Sequence, residues 1–164
     1  MKQVYFIIAM LCGLALGGQA QGIRFAEGSW KELLETAKKE GKLIFVDCYT
    51  EWCQPCKQME QQVFPSKKVG KFYNEHFINV KMDMEKGEGP VILNTYKINA
   101  FPTLLFVNGE GGEVYRIVGS KKEAELLQVG ADALASKTVY PVNSQAQQKR
   151  DVSCRILQQM LLDV

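Results

Sequence analysis

A single histidine, His76, stands among 164 residues, and its scarcity removes several chemistries at once. A c-type haem attachment needs histidine directly after the second cysteine of a C-x-x-C pair, and the residue after Cys56 is Lys57. A structural zinc site would need two ligands beyond such a pair. The chain offers only His76 and the scattered Cys12, Cys48 and Cys154, none at ligand spacing, so no metal is expected. His76 itself reads as a surface or helix-end residue. No nucleotide or flavin motif is present. Charge of one sign is not in excess either: 20 basic and 18 acidic residues are interspersed, for a net charge of +2. That balance leaves no footprint for nucleic acid or an anionic membrane. Internal repeats and low-complexity segments are absent, and the length suits one domain with a real hydrophobic core.

Long apolar runs are lacking too, with one exception at residues 4–16. It follows Lys2 and precedes the small residues Gly18 and Ala20. The run is shorter than the roughly 20 residues a membrane helix needs. Its flanks describe a secretory signal peptide over residues 1–20, cleaved after Ala20 and taking Cys12 with it; an uncleaved anchor is the alternative. Export places a protein where disulfides persist. Yet one close cysteine pair and isolated thiols do not make a stapling framework.

That close pair is the most informative feature present. Trp52, Cys53, Gln54, Pro55, Cys56 and Lys57 follow an apolar run at residues 43–49 and open a helical pattern. Two thiols on a first helical turn can close into a small disulfide ring and reopen. The unpaired N–H groups of the helix start favour a thiolate there. A purely structural bridge is the plainer reading, but a loop within one turn is too short to stabilise much. Strand, turn and helix carrying C-x-x-C point instead to thiol-disulfide redox work.

Elsewhere the pattern is regular. Ser29 and Glu32 form a capping box, Trp30, Leu33, Leu34 and Ala37 give a helical face, and Gly41 ends it. Residues 43–49 read as a fully buried strand. Met59, Val63 and Phe64 continue the C-x-x-C helix to Pro65, and a further helical piece around Val69, Phe72 and Tyr73 leads to His76. Residues 77–83 alternate as a strand. A helical piece holds Val91, Ile92, Leu93 and Tyr96, residues 103–107 and 114–118 form a hairpin, and a second capping box is expected at Ser120 and Glu123. The order predicts an α/β fold, a mixed sheet with helices on both faces.

At this point the chain resembles the thioredoxin family over roughly residues 25–136. The Trp-Cys-x-Pro-Cys-Lys site, Asp47 six residues before Cys53, Phe101 with Pro102 before the hairpin, and Gly119 after its last strand carry the match. The resemblance implies a thioredoxin-like three-layer sandwich at residues 21–137, with residues 138–164 as a helical extension. Within the family the chain looks closer to exported forms with a long active-site helix, and the C-terminal domain of the bacterial membrane disulfide reductase has a similar stretch. It thereby implies the bacterial periplasm as the compartment.

The same resemblance assigns roles. Cys53, the more exposed sulfur, would be the attacking thiolate and Cys56 the resolving thiol. Asp47 would be a buried carboxylate that accepts the Cys56 proton, an ordinary turn-capping aspartate being the alternative. Pro102 would be cis and leave the backbone beside Phe101 free for an extended substrate. Trp52 would shelter the rim or else fill the core. Pro55 stiffens the first turn, and with Gln54 and no histidine between the cysteines it sets a potential near the reducing end, about −270 mV rather than about −120 mV. Glu51 could modulate Cys53 or simply be solvated, Lys57 is read as a solvated helix residue, and Cys48 as a small core residue.

The expected function is an exported protein thiol-disulfide oxidoreductase that reduces or isomerises disulfides. Its only redox group would be the Cys53–Cys56 disulfide, its partners proteins bearing disulfides or thiols, and its electron source a membrane-bound donor. A disulfide-inserting oxidase and a client-binding module on the same fold are the alternatives. Ile156, Leu157, Met160 and Leu161 give the tail an apolar face that either folds back or joins a second copy, with Cys154 open to an intermolecular bridge.

Overall fold

The structure, a computed structural model, describes residues 22–139. The signal-peptide reading, Cys12, Cys154 and the tail past Val139 lie outside the described residues.

Helix α1 (Trp30–Glu40) is closed at both ends by the residues its sequence signalled. Ser29 Oγ accepts from the Glu32 N–H, and the Glu32 carboxylate accepts from the Ser29 N–H. Gly41, at φ 64°, takes the left-handed conformation that costs other residues a Cβ clash. Strand β1 (Leu43–Tyr49) follows, buried along nearly its whole length because it is central. It pairs in parallel with β2 (Phe77–Asp83) and antiparallel with β3 (Thr103–Val107), and β3 pairs antiparallel with β4 (Glu113–Val118). The sheet order is β2-β1-β3-β4.

Between these strands run α2 (Gln54–Gln62), α3 (Lys67–His76) and α4 (Gly89–Thr95), with α5 (Glu123–Val139) last. Strand alternation sorts β1 into two faces. Ile44, Val46 and Cys48 pack with Leu33 and Ala37 of α1 and Ile92 of α4. Leu43 and Phe45 face Met59 of α2, Tyr73 of α3 and Leu126 of α5. By that alternation Asp47 points to the α2 side. On the same side Phe45 packs edge-on against Tyr73 at 4.8 Å and tilts against Phe106 at 5.2 Å. Each such buried ring contributes roughly 1.5–3 kcal/mol. These layers are the expected α/β sandwich with helices on both faces.

Two features depart from the sequence reading. Helix α5 starts at Glu123, and the carboxylate reaching back is Glu125, which accepts from the Lys122 N–H at 2.7 Å. The expected Ser120 box is displaced by two residues because Gly119, at φ 91°, and the Lys121 N–H on the Met59 sulfur hold Ser120 and Lys121 against α2. Helix α5 also continues past the expected boundary at residue 137. Second, the chain from Gly22 to Ala26 forms a strap. Asn74 accepts from the Arg24 N–H at 2.8 Å and donates to the Gly22 carbonyl at 2.9 Å, while the Ala26 N–H bonds the Asn79 carbonyl at 2.7 Å. The strap thereby meets the edge of β2 and, through the Ile23 N–H on the Phe64 carbonyl, the end of α2.

Candidate active site

Strand β1 delivers Asp47 and Cys48 near its C-terminal end, and the chain then turns through Glu51 and Trp52 into α2. Cys53 is the N-cap of that helix, and its sulfur accepts the Cys56 N–H at 3.2 Å. A cap normally needs an oxygen acceptor; here sulfur takes the place, which draws negative charge toward Cys53. Gln54 is N1 and Pro55 sits at N2, where its missing N–H costs no helical bond. Cys53 and Cys56 are joined by a disulfide, with their Cα atoms 5.3 Å apart.

As whole residues the two cysteines are covered alike in the closed bridge, Cys53 at 3% exposure and Cys56 at 4%. What separates them is position: Cys53 caps the helix, and Cys56 lies one turn before Glu60, whose partner Lys81 stands beside Asp47 in the sheet.

Asp47 is 1% exposed, with neither oxygen hydrogen-bonded among the described residues. Burial pushes its carboxyl up to about 7, Lys81 opposes the rise, and Glu60 adds to it. Asp47 is therefore not a turn cap. Lys81 stands beside it in the β1–β2 register and pairs with Glu60, which lies one turn past Cys56 on α2. The Lys81 ammonium also sits 4.5 Å over the Tyr49 ring. A cavity of about 450 Å³ beside them is lined by Tyr49, Thr50, Glu51, Cys56, Lys57, Glu60 and Lys81.

On the outer side, Trp52 is 64% exposed, so it belongs to the rim and not to the core. Its indole N–H donates to Glu85 at 3.0 Å and its ring meets Phe101 edge-on at 5.8 Å. The Phe101–Pro102 bond is cis. Strand β3 begins at Thr103, so Phe101 lies outside the ladder, while the Pro102 carbonyl accepts from Gly119 at 2.8 Å. Glu51 pairs with Lys86 and is solvent-exposed. Cys48 faces the other layer, its thiol pushed up chiefly by burial. His76 ends α3 and packs on Phe72 at 4.7 Å. No helix among the described residues is long and apolar enough to cross a membrane.

Glu60, Lys81, Thr50 and Glu85 were missed by sequence reasoning. Only Lys81 left a signal, as a polar position in the alternating strand of residues 77–83.

The model of the thioredoxin-like domain family matches residues 30–134. A solved structure of a candidate disulphide-isomerase from Bacteroides thetaiotaomicron is 48% identical, has a TM-score of 0.63, and the match covers 71% of this chain and 97% of that one. Thioredoxin H2-1 of rice, Oryza sativa subsp. japonica, is 36% identical over 98 residues, 60% of this chain and 66% of the rice protein. The thiol:disulfide interchange protein DsbD of Yersinia pestis is 28% identical over 95 residues, which is 56% of this chain and 16% of DsbD. The chain thus spans about two thirds of one of these relatives and a small part of another. A disulfide closed at the head of α2, on a fold these proteins share, places the chain in the thioredoxin-like family, whose members are thiol-disulfide oxidoreductases.

Proposed function

We propose that this protein is an exported reductase or isomerase of protein disulfides, working in the bacterial periplasm and re-reduced by a membrane-bound donor. The observation that carries the reading is the unequal setting of the two sulfurs. Cys53 caps the helix and receives an N–H, whereas Cys56 lies one turn before Glu60, whose partner Lys81 stands beside the buried Asp47 in the sheet. In the reduced protein the Cys53 thiolate attacks a substrate sulfur. A Cys53–substrate bond forms, the substrate disulfide breaks, and the electron pair leaves on the departing substrate sulfur. Asp47 takes the proton of Cys56, whose thiolate then attacks Cys53. The Cys53–Cys56 bond closes and the substrate leaves with both thiols reduced. Trp52, Phe101 and cis-Pro102 line the side from which an extended substrate approaches, with Gln54 and Pro55 at the turn between the cysteines.

Similarity to a candidate disulphide-isomerase and to part of DsbD supports the protein-disulfide class and the membrane donor. The signal-peptide features of residues 1–20 support export. Equilibrating the mature protein against graded dithiothreitol and following tryptophan fluorescence tests direction. A Cys53–Cys56 potential below about −230 mV is expected; one above about −180 mV would make the protein an isomerase or oxidase in the range of those enzymes. Insulin-disulfide reduction then scores the activity, and Cys53→Ser should abolish it.

A further inference from the structure

We infer that Tyr49 and Glu60 are positioning residues that hold the Lys81 ammonium off the Asp47 carboxyl and so preserve Asp47 as an acceptor for the Cys56 proton. The inference rests on the redox reading above and adds two residues to it.

The β1–β2 register sets the problem. Lys81 is the cross-strand partner of Asp47, on the same side of the sheet by alternation. A lysine beside a buried carboxylate ordinarily bonds it, because a buried charge left unpaired is costly. Here neither Asp47 oxygen has a hydrogen-bond partner among the described residues. The ammonium reaches outward instead. It pairs with Glu60, whose side chain is 52% exposed, and lies 4.5 Å from the centre of the Tyr49 ring, within the roughly 6 Å reach of a cation–π contact.

The two supports come from different elements. Tyr49 lies two residues after Asp47 on β1, so its ring stands on the same side of the sheet. Burial pushes its hydroxyl up, and the ring acts on Lys81 as an uncharged face. Glu60 arrives on α2, one turn after Cys56. The long apolar stem of Lys81 lets the charge stay near water while the chain runs along the sheet. An ammonium drawn down to Asp47 would give up water, the Glu60 carboxylate and the Tyr49 ring together.

No other group does this work. Lys81 and Glu60 are the charges that act on Asp47 among the described residues. Strand β3 sets the apolar Leu104 opposite it, Cys48 faces the other layer, and Cys56 is tied in the disulfide. Glu51 and Lys57 stand exposed at the surface. The chemical consequence is direct. A carboxylate bonded to an ammonium is a weaker base, and it would take the Cys56 proton less readily.

The test follows the Asp47 carboxyl by carbon NMR of the aspartate-labelled, oxidised mature protein, its signal assigned by loss in Asp47→Asn. Neither cysteine titrates in the closed disulfide, so the curve reports the carboxyl alone. Its midpoint should lie at about 7. Glu60→Gln should lower it by about one pH unit as Lys81 turns to Asp47. Glu60 also acts through its own charge, so the uncharged Tyr49 is decisive. Tyr49→Leu should lower the midpoint by about half a pH unit, the scale of one partly exposed cation–π contact, and Tyr49→Phe, which keeps the ring, should restore it. In a Lys81→Met background there is no ammonium to release, and Tyr49→Leu should leave the midpoint where Lys81→Met alone puts it. A midpoint that Tyr49→Leu or Glu60→Gln leaves in place or raises, or that Tyr49→Leu still lowers without Lys81, overturns the inference. Insulin reduction driven by dithiothreitol runs alongside on the parent protein. Its failure strikes the redox reading itself, whereas success with unmoved midpoints removes only the positioning role.

Discussion

Replacing Asp47 with alanine should stabilise the oxidised protein at neutral and alkaline pH and not at acid pH. The carboxyl titrates near 3.8 when unfolded and is pushed up to about 7 by burial in the fold. Well below pH 3.8 it is protonated in both states and exacts no charge penalty. As pH rises from about 4 to 7 the unfolded chain ionises first, so the unfolded state binds fewer protons and stability falls. Above 7 the penalty levels off. About three pKa units at 1.36 kcal/mol each give roughly 4 kcal/mol. The truncation leaves a small void worth about 1 kcal/mol in the other direction. The variant should therefore be slightly less stable at pH 4 and about 3 kcal/mol more stable at pH 8. Urea unfolding followed by tryptophan fluorescence at four or five pH values measures the difference directly. A difference that is constant with pH, or that shrinks as pH rises, would refute the claim that a desolvated carboxylate is held here. The same variant should reduce insulin at least about tenfold more slowly near pH 7, where Cys56 needs a proton acceptor.

Gly70 lies inside α3, where alanine would ordinarily gain about 1 kcal/mol of helix propensity. A Cβ there would lie 2.3 Å from the backbone of Gly22. Overpacking of that kind costs typically 1–3 kcal/mol and should win. Gly70→Ala should thus lower stability in urea and speed tryptic cleavage at Arg24 as the strap lifts; unchanged cleavage would show that the strap is not held at this crossing. Lys97 is a different case. It follows α4 at φ 54°, in the position between the Ile92–Tyr96 and Leu93–Ile98 hydrogen bonds that glycine usually fills. Lys97→Gly should raise stability by about 0.5–1 kcal/mol, after the entropy glycine adds to the unfolded chain. A loss in urea unfolding would count against that account.

What could be read from the sequence was what neighbours in the chain decide. Ser29, Glu32 and Gly41 cap α1 because all their partners lie within a few residues. Residues 43–49 are apolar apart from Asp47 because a central strand is covered on both faces. Cys53 and Cys56 stand on one helical turn whatever surrounds them. Lys97 was not legible, since α4 stops without the glycine that would have marked its end. The Ser120 box failed because a contact with Met59, some sixty residues away, outweighs a local capping preference.

The electrostatics of the site belong to the second kind, and the β1–β2 register decides them. Phe77 and Ile78 commit β2 to one pairing, with Phe77 in the layer of α2 and α3 and Ile78 in the layer of α1 and α4. Alternation then carries Lys81 to the same side as Phe77, opposite Asp47. A slip of one residue would bury Asn79 and Lys81 in the other layer, against Ile44, Val46 and Cys48, where a cation has no carboxylate to meet. So the apolar residues at the start of β2 hold Lys81 where it opposes the rise in the Asp47 carboxyl and pairs with Glu60 across the cavity beside Cys56. A reading of Asp47 from its own neighbours in sequence has no access to that, because the group that most tempers its charge arrives from a strand more than thirty residues later.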